Sequence, residues 1–99
     1  MNLWIDDLRS APEGEWVIAR TSVDAIRTLA AARTAGVSFE LVNFDHDLGG
    51  EDDTRRVLTW MIEHEYWPRA IRVHSMNPVG RKWLIGTARR YAPATTLVG

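Results

Sequence analysis

Residues 41–50 read LVNFDHDLGG, and this stretch decides the fold class. Its first four residues form an apolar run with the length of a buried strand, which stops at Asp45-His46-Asp47 before Gly49 and Gly50 turn the chain. Buried strands of this kind are typical of parallel sheets, whose ligands bind beyond the carboxyl ends of the strands. The stretch therefore predicts an α/β domain with acidic side chains at one sheet edge.

Further segments share the short, apolar or β-branched character of strands. They are residues 3–5, 16–19, 71–73 and 95–98. The first of them ends at Asp6-Asp7 and the third ends at His74. Polar side chains are thus predicted at the carboxyl ends of three strands.

Three helices are predicted between these strands. Thr21 begins the first, with an apolar face of Val23, Ile26, Leu29 and Ala30 and with Gly36 at its end. Thr54 begins the second, which stops before Pro68. Asn77 caps the third, Pro78 occupies its first position and Pro93 stops it. The connection between the first two strands carries few helical signals.

Composition narrows the class of protein. The 99 residues, 45% of them hydrophobic, predict one domain over residues 1–99. The chain has no Cys and a formal net charge of −1, which argues against disulfides, thiolate chemistry and binding of long duplex nucleic acid. The N-terminal residues show neither a signal peptide nor a membrane span, so we expect a cytoplasmic protein. Of the five Trp, we expect Trp4, Trp60 and Trp83 to be core or pocket wall rather than a platform for bases.

The acidic residues at the strand ends point to a divalent cation. Asp6 and Asp7 are neighbouring carboxylates that would repel one another unless a cation joined them, and Mg²⁺ (or Mn²⁺) prefers oxygen ligands. Asp45 is predicted either as a further metal ligand or as a nucleophile. Asp47 is predicted as a second ligand or as a general acid with a raised pKa. The alternative is that Asp6 and Asp7 only solvate a loop and that Asp47 forms an Asx turn.

A second group of residues suits phosphate chemistry. His46 and His74 can exchange protons near neutral pH, and Asn77 caps a helix whose free N–H groups attract anions. Gly80 removes bulk, and Arg81 adds positive charge, unless Arg81 is simply a solvated helix residue. His64, beside Glu63 and Glu65, is interpreted as an ordinary surface histidine.

Three motifs, at residues 4–9, 44–49 and 73–80, resemble the cyclic-phosphate-processing receiver-like family, a divergent branch of the response-regulator receiver fold. The resemblance implies a receiver-like (flavodoxin-like), mainly parallel sheet of four to five strands flanked by helices, truncated after the fourth helix of the receiver pattern or the fifth strand. It also implies that Asp6 and Asp7 hold Mg²⁺ and that Asp45 matches the aspartate that receivers phosphorylate. The receiver Lys has no counterpart, since the only Lys is Lys82 inside a predicted helix.

The favoured hypothesis is a metal-dependent phosphoesterase acting on a cyclic phosphate, either a 2′,3′-cyclic phosphate end of RNA or a cyclic nucleotide. The catalytic set is Asp45, His46, Asp47 and His74, the phosphate-binding set is Ser75, Asn77, Gly80 and Arg81, and the metal set is Asp6, Asp7 and Asp45. A pair of histidines acting without a metal stays open as a mechanism. The alternatives are a phosphoacceptor module, a non-catalytic binder of a phosphorylated nucleotide, and an aspartyl-phosphate phosphatase built on Asp45 and Asp47. A homodimer is also possible.

Overall fold

A computed structural model describes residues 1–99 as one α/β unit with five strands and three helices. The strands are β1 (Asn2–Ile5), β2 (Val17–Ala19), β3 (Leu41–Phe44), β4 (Ala70–Val73) and β5 (Leu97–Val98), and the helices are α1 (Ser22–Thr34), α2 (Arg55–Glu63) and α3 (Pro78–Tyr91). No helix has both the length and the apolar character needed to cross a membrane.

The five strands form one parallel sheet in the order β2-β1-β3-β4-β5. This is the doubly wound order of flavodoxin-like folds, so the predicted receiver-like fold is confirmed. The register aligns Ile5 with Phe44 and Phe44 with Val73. The residues that follow these three strands therefore leave the sheet side by side.

Handedness places all three helices on the same face of the sheet. Each helical crossover moves in the same direction along the sheet, from β2 past β1 to β3, then to β4 and β5, and right-handed crossovers in one direction share a face. The core between helices and sheet includes Leu3, Val42, Phe44 and Ile71, all nearly inaccessible to solvent. The connection between β1 and β2 contains no helix, as its sequence indicates.

The predicted helix boundaries are close to those observed, whereas part of one predicted face is wrong. Thr21 caps α1 by accepting a hydrogen bond from the Asp24 N–H at 3.1 Å. Val23, however, is 52% exposed, and the buried residues of α1 are Ser22, Ala25, Leu29 and Ala32. Small residues lie against the sheet because they let the helix backbone approach it closely, which the apolar periodicity did not show.

The aromatic predictions are met in part. Trp4 is 5% exposed, whereas Trp60 and Trp83 are only half-buried against the core. His64 is also half-buried rather than freely exposed, and its ring stacks on Trp60 with ring centroids 4.3 Å apart.

Candidate functional site

Three strand ends bring their polar side chains together at one edge of the sheet. Asp6 follows β1, Asp45 follows β3 and His74 follows β4. One ligand atom from each of these side chains lies within 4.8 Å of the other two. We call this group the strand-end cluster.

Asp6 is the most buried member of the cluster. Its side chain is 1% exposed, and one carboxylate oxygen accepts the N–H groups of Leu8 at 2.9 Å and Arg9 at 2.8 Å. Its other oxygen lies 2.9 Å from Nε2 of His74. Burial raises the pKa of Asp6, but the N–H groups of Arg9 and Leu8 together with His74 outweigh it, so the pKa lies below 3.8. Asp6 is therefore an ionised carboxylate at neutral pH.

His74 is held from both sides and from one face. Its Nδ1 lies 2.7 Å from Oδ1 of Asn43, its Nε2 faces Asp6, and its ring stacks on Trp4 with ring centroids 3.9 Å apart and planes 5° apart. The oxygens of Asn43 and Asp6 only accept hydrogen bonds, so this arrangement is satisfied when both ring nitrogens carry a proton. Both ring nitrogens of His74 are thus directed at oxygen acceptors of the protein.

Asp45 has the opposite electrostatic character. Its side chain is half-buried, and this burial raises its pKa above 3.8. The negative charge of Asp6 raises the pKa of Asp45 further, whereas the hydrogen bond that Asp45 accepts from the His46 N–H at 2.8 Å lowers it in part. The backbone of Asp45 is fixed by a hydrogen bond from Thr54 Oγ1 to its carbonyl at 2.6 Å. A carboxylate in such a place gains most from a cation or a proton nearby.

His46 and Asp47 form a separate network. Arg55 Nε lies 3.0 Å from His46 Nε2 and can only donate, so Nδ1 carries the ring proton and donates to Asp47 Oδ1 at 3.1 Å. The His46 side chain is 7% exposed, and both of its ring nitrogens are engaged by neighbouring side chains, Nδ1 by Asp47 and Nε2 by Arg55.

The predicted raised pKa of Asp47 is wrong. Hydrogen bonds from Asn77 and His46 lower its pKa below 3.8, and burial, which would raise it, is slight because the side chain is 64% exposed. Asp47 is therefore ionised at neutral pH and has no proton to donate.

The phosphate-binding residues predicted from sequence lie around the start of α3. Asn77 donates from Nδ2 to Asp47 at 3.1 Å, while its Oδ1 accepts the Gly80 N–H at 3.0 Å and so caps the helix. Ser75 accepts the Asn77 N–H at 3.1 Å. Arg81 donates to the Val73 carbonyl. These contacts join the start of α3 to β3 and β4, and they leave the Gly80 N–H committed to the cap.

Asp7 is not brought into the strand-end cluster. It follows Asp6, is half-buried, and points toward Gly49, where a Cβ atom would come within 3.2 Å of its carboxylate. The acidic triad that the resemblance implied for Mg²⁺ is thus present as Asp6 and Asp45 only, with His74 as the third group. Asp6, Asp45 and His74 are residue types that can hold a divalent cation.

Several residues of this region escaped the sequence analysis. Asn43 lies inside a strand, and Arg55 opens a helix, so neither position carries a local signal of its contact with a histidine. Arg20 binds the carbonyls of Asp6 and Arg9 at 2.9 Å and 2.8 Å, and Arg9 reaches the His74 carbonyl at 3.2 Å. Only the alternation of β3 could have indicated Asn43, since a polar residue there must face away from the core.

The strand-end cluster does not line any cavity of the protein. Five cavities indent the protein, and none is lined by Asp6, Asp45 or His74. The largest, of about 640 Å³, lies beside the start of α1.

The comparisons with known proteins agree with this architecture. Neither the curated proteins nor the solved structures yield a match. The family model described as the cyclic-phosphate processing receiver domain matches residues 1–90. With nine-tenths of its residues matched and the receiver-like strand order in place, the chain belongs to the cyclic-phosphate processing receiver domain family.

Proposed function

We propose that this protein is a phosphoesterase that opens a cyclic phosphate, such as the 2′,3′-cyclic phosphate of an RNA end or a nucleotide. The observation that carries the proposal is a pair of carboxylates, two residues apart after β3, whose pKa values are driven in opposite directions. The pKa of Asp45 is raised and that of Asp47 is lowered. Such pairs divide proton and charge handling between two groups in hydrolytic sites.

The reaction requires charge on the phosphate to be neutralised and a proton to be moved. A divalent cation, expected as Mg²⁺ or Mn²⁺ and held by the strand-end cluster, would supply that charge and acidify a bound water. Asp47, ionised and aligned by His46 and Asn77, accepts a proton from the water as the water oxygen bonds to phosphorus. The bond from phosphorus to one ribose oxygen breaks, and that oxygen takes up the proton that Asp47 accepted from the water.

A phosphoacceptor function is the second candidate, because Asp45 occupies the position that receivers phosphorylate. The lysine that receivers place near this aspartate is missing, since Lys82 lies exposed within α3. Without that lysine, a phosphoryl group on Asp45 would lose a charged partner. Hydrolysis is therefore favoured.

The test is a hydrolysis panel of 2′,3′-cyclic nucleotides, cyclic-ended RNA and phosphomonoesters, with Mg²⁺, Mn²⁺ or a chelator. We expect cyclic phosphates to be opened, and we expect Asp45→Asn and Asp47→Asn to lower kcat by at least about 100-fold. Glu51→Gln, in the exposed loop beyond Gly50, is the matched control and keeps full activity. Equal turnover by wild type and both Asp variants contradicts the proposal, as does a stable phosphoryl adduct on Asp45 from acetyl phosphate without any turnover.

A further inference from the structure

The contact between His74 and Asp6 is unusual because two acceptors face each other. Nδ1 of His74 is committed as a donor to Asn43 Oδ1 at 2.7 Å, so in the neutral ring Nε2 presents a lone pair. That lone pair points at an ionised carboxylate oxygen of Asp6, 2.9 Å away. Only a positive charge between the two atoms makes this contact favourable, and the charge is either a second ring proton or a metal ion.

The distance between these two atoms is close to the spacing of two ligands of one metal ion. Neighbouring ligands that each lie about 2.1 Å from an ion, at octahedral or tetrahedral angles, are separated by roughly 3.0–3.4 Å. Asp6 and His74 are 2.9 Å apart, and an oxygen of Asp45 completes the group within 4.8 Å. The cluster therefore already has nearly the spacing of a coordinated ion.

The surroundings of the cluster also have the form of an outer ligand shell. Metal-binding histidines usually donate their second ring N–H to an oxygen, which fixes the tautomer, and metal-binding carboxylates accept further hydrogen bonds. Asn43 performs the first role for His74, and the N–H groups of Leu8 and Arg9 perform the second for Asp6. Trp4 fixes the plane of the His74 ring from one face.

We infer that the strand-end cluster is a site for a divalent transition-metal ion such as Zn²⁺ or Mn²⁺, with Nε2 of His74 as a ligand in place of the second acid of the receiver pattern. Imidazole suits Zn²⁺ and other transition ions, whereas Mg²⁺ favours oxygen ligands and water. Asp7 remains outside the ligand set. The inference rests on the proposed function only for the role of the ion, and its test needs no substrate.

The test measures metal binding to the purified, chelator-treated protein by calorimetry, with Zn²⁺, Mn²⁺ and Mg²⁺ as the probes. We expect Zn²⁺ to bind at least about 100-fold more tightly than Mg²⁺, and Mn²⁺ to lie between them. His74→Gln, which keeps a polar side chain of similar reach, should remove most of this preference. Asn43→Ala, which removes the partner of Nδ1, should weaken Zn²⁺ binding by about 10–100-fold. Asp7→Asn is the matched control and should bind Zn²⁺ like the wild type.

A spectroscopic measurement locates the ion independently of affinity. Zn²⁺ should shift the ¹⁵N resonance of Nε2 in His74, leave its Nδ1 protonated, and change the fluorescence of Trp4, which stacks on the ring. Circular dichroism verifies that His74→Gln and Asn43→Ala are folded.

Three results overturn the inference. They are equal affinity for Zn²⁺ and Mg²⁺, loss of binding in Asp7→Asn but not in His74→Gln, and a Zn²⁺ shift confined to His46 or His64. Failure of the proposed function would look different: the ion would bind at His74, yet no cyclic phosphate would be opened.

Discussion

At the scale of single residues, the fit between His46 and Gly80 links the start of α3 to the acidic loop. A Cβ atom at position 80 would lie 2.3 Å from Cγ and 2.7 Å from Nδ1 of the His46 ring, so only glycine leaves room for the ring. The ring in turn holds Asp47 at 3.1 Å. The sequence suggested that Gly80 clears space for a ligand, whereas in the structure the space is filled by His46.

Gly80→Ala should therefore destabilise the protein although alanine is the better helix former. Overpacking of this kind costs about 1–3 kcal/mol, and displacement of the ring should also release Asp47. Gly86→Ala in the same helix is the matched control, because no atom lies within 4 Å of its added Cβ, and it should stabilise the protein by roughly 0.5–1 kcal/mol. Urea unfolding measures both changes, and a Gly80→Ala protein as stable as Gly86→Ala would contradict the assigned packing.

The polar side chains at the strand ends could be predicted from sequence, because each of them directly follows a short apolar run along the chain. The polar residues after β1, β3 and β4 were all identified, and Asn77 was correctly assigned as a cap. The pKa direction of Asp47 was not predictable, because it depends on Asn77, 30 residues away, and on which nitrogen of His46 faces it. The exclusion of Asp7 likewise depends on the path of the chain after β1.

At the scale of elements, Asp52 fastens the loop between β3 and α2 to the start of α1. One of its oxygens accepts the Ser22 N–H at 2.9 Å and the other accepts the Ser22 hydroxyl at 2.5 Å. Burial raises the pKa of Asp52, but the hydroxyl and N–H of Ser22 outweigh it, so the pKa lies below 3.8. The carboxylate also lies at the positive end of the helix dipole of α1.

Asp52→Asn should destabilise the protein by about 1–3 kcal/mol at pH 7, because a charged acceptor of two hydrogen bonds is lost. Since folding lowers this pKa, the stabilisation is present above the pKa of the unfolded chain and disappears as the pH falls through the folded value. The difference between wild type and Asp52→Asn should therefore shrink as the pH falls from about 5 to about 3. Thermal unfolding of both proteins across this pH range measures the difference in stability. A difference that does not change with pH would show that the charge of Asp52 does not stabilise the protein.

The boundaries of elements could be read from caps and breakers more reliably than their buried faces. Strand β3 was predicted without error, and Pro78 and Pro93 bracket α3 as expected. In α1 the buried residues are Ser22, Ala25, Leu29 and Ala32. The apolar periodicity placed Val23 on the buried face, whereas Val23 is exposed. Ser22 is buried because Asp52, 30 residues later, satisfies its polar groups, which no local pattern reveals.

At the scale of the whole molecule, a parallel sheet is covered by helices on only one face. Parallel sheets are normally covered on both faces, and here Arg72 and Leu97, which alternate with core residues of β4 and β5, are exposed. The same face is covered where it crosses β1, because Trp4, which lies on this face, is only 5% exposed. The connection from β1 to β2 supplies its cover, since Trp4 donates to the Arg9 carbonyl at 3.1 Å and meets Trp16 edge to face at 5.6 Å.

Trp4 and the connection from β1 to β2 therefore cover this face of the sheet in place of a helix. The same connection also carries Asp6 and Arg9, which lie at the strand-end cluster. Trp4→Ala should destabilise the protein by about 3–5 kcal/mol through the cavity it leaves, and Trp4→Phe by about 1 kcal/mol through the lost hydrogen bond to Arg9. Trp16→Ala, which removes a half-buried ring, should cost clearly less. Urea unfolding followed by circular dichroism ranks the three variants. Equal losses in Trp4→Ala and Trp16→Ala would mean that the loop, rather than the Trp4 ring, stabilises the second face of the sheet.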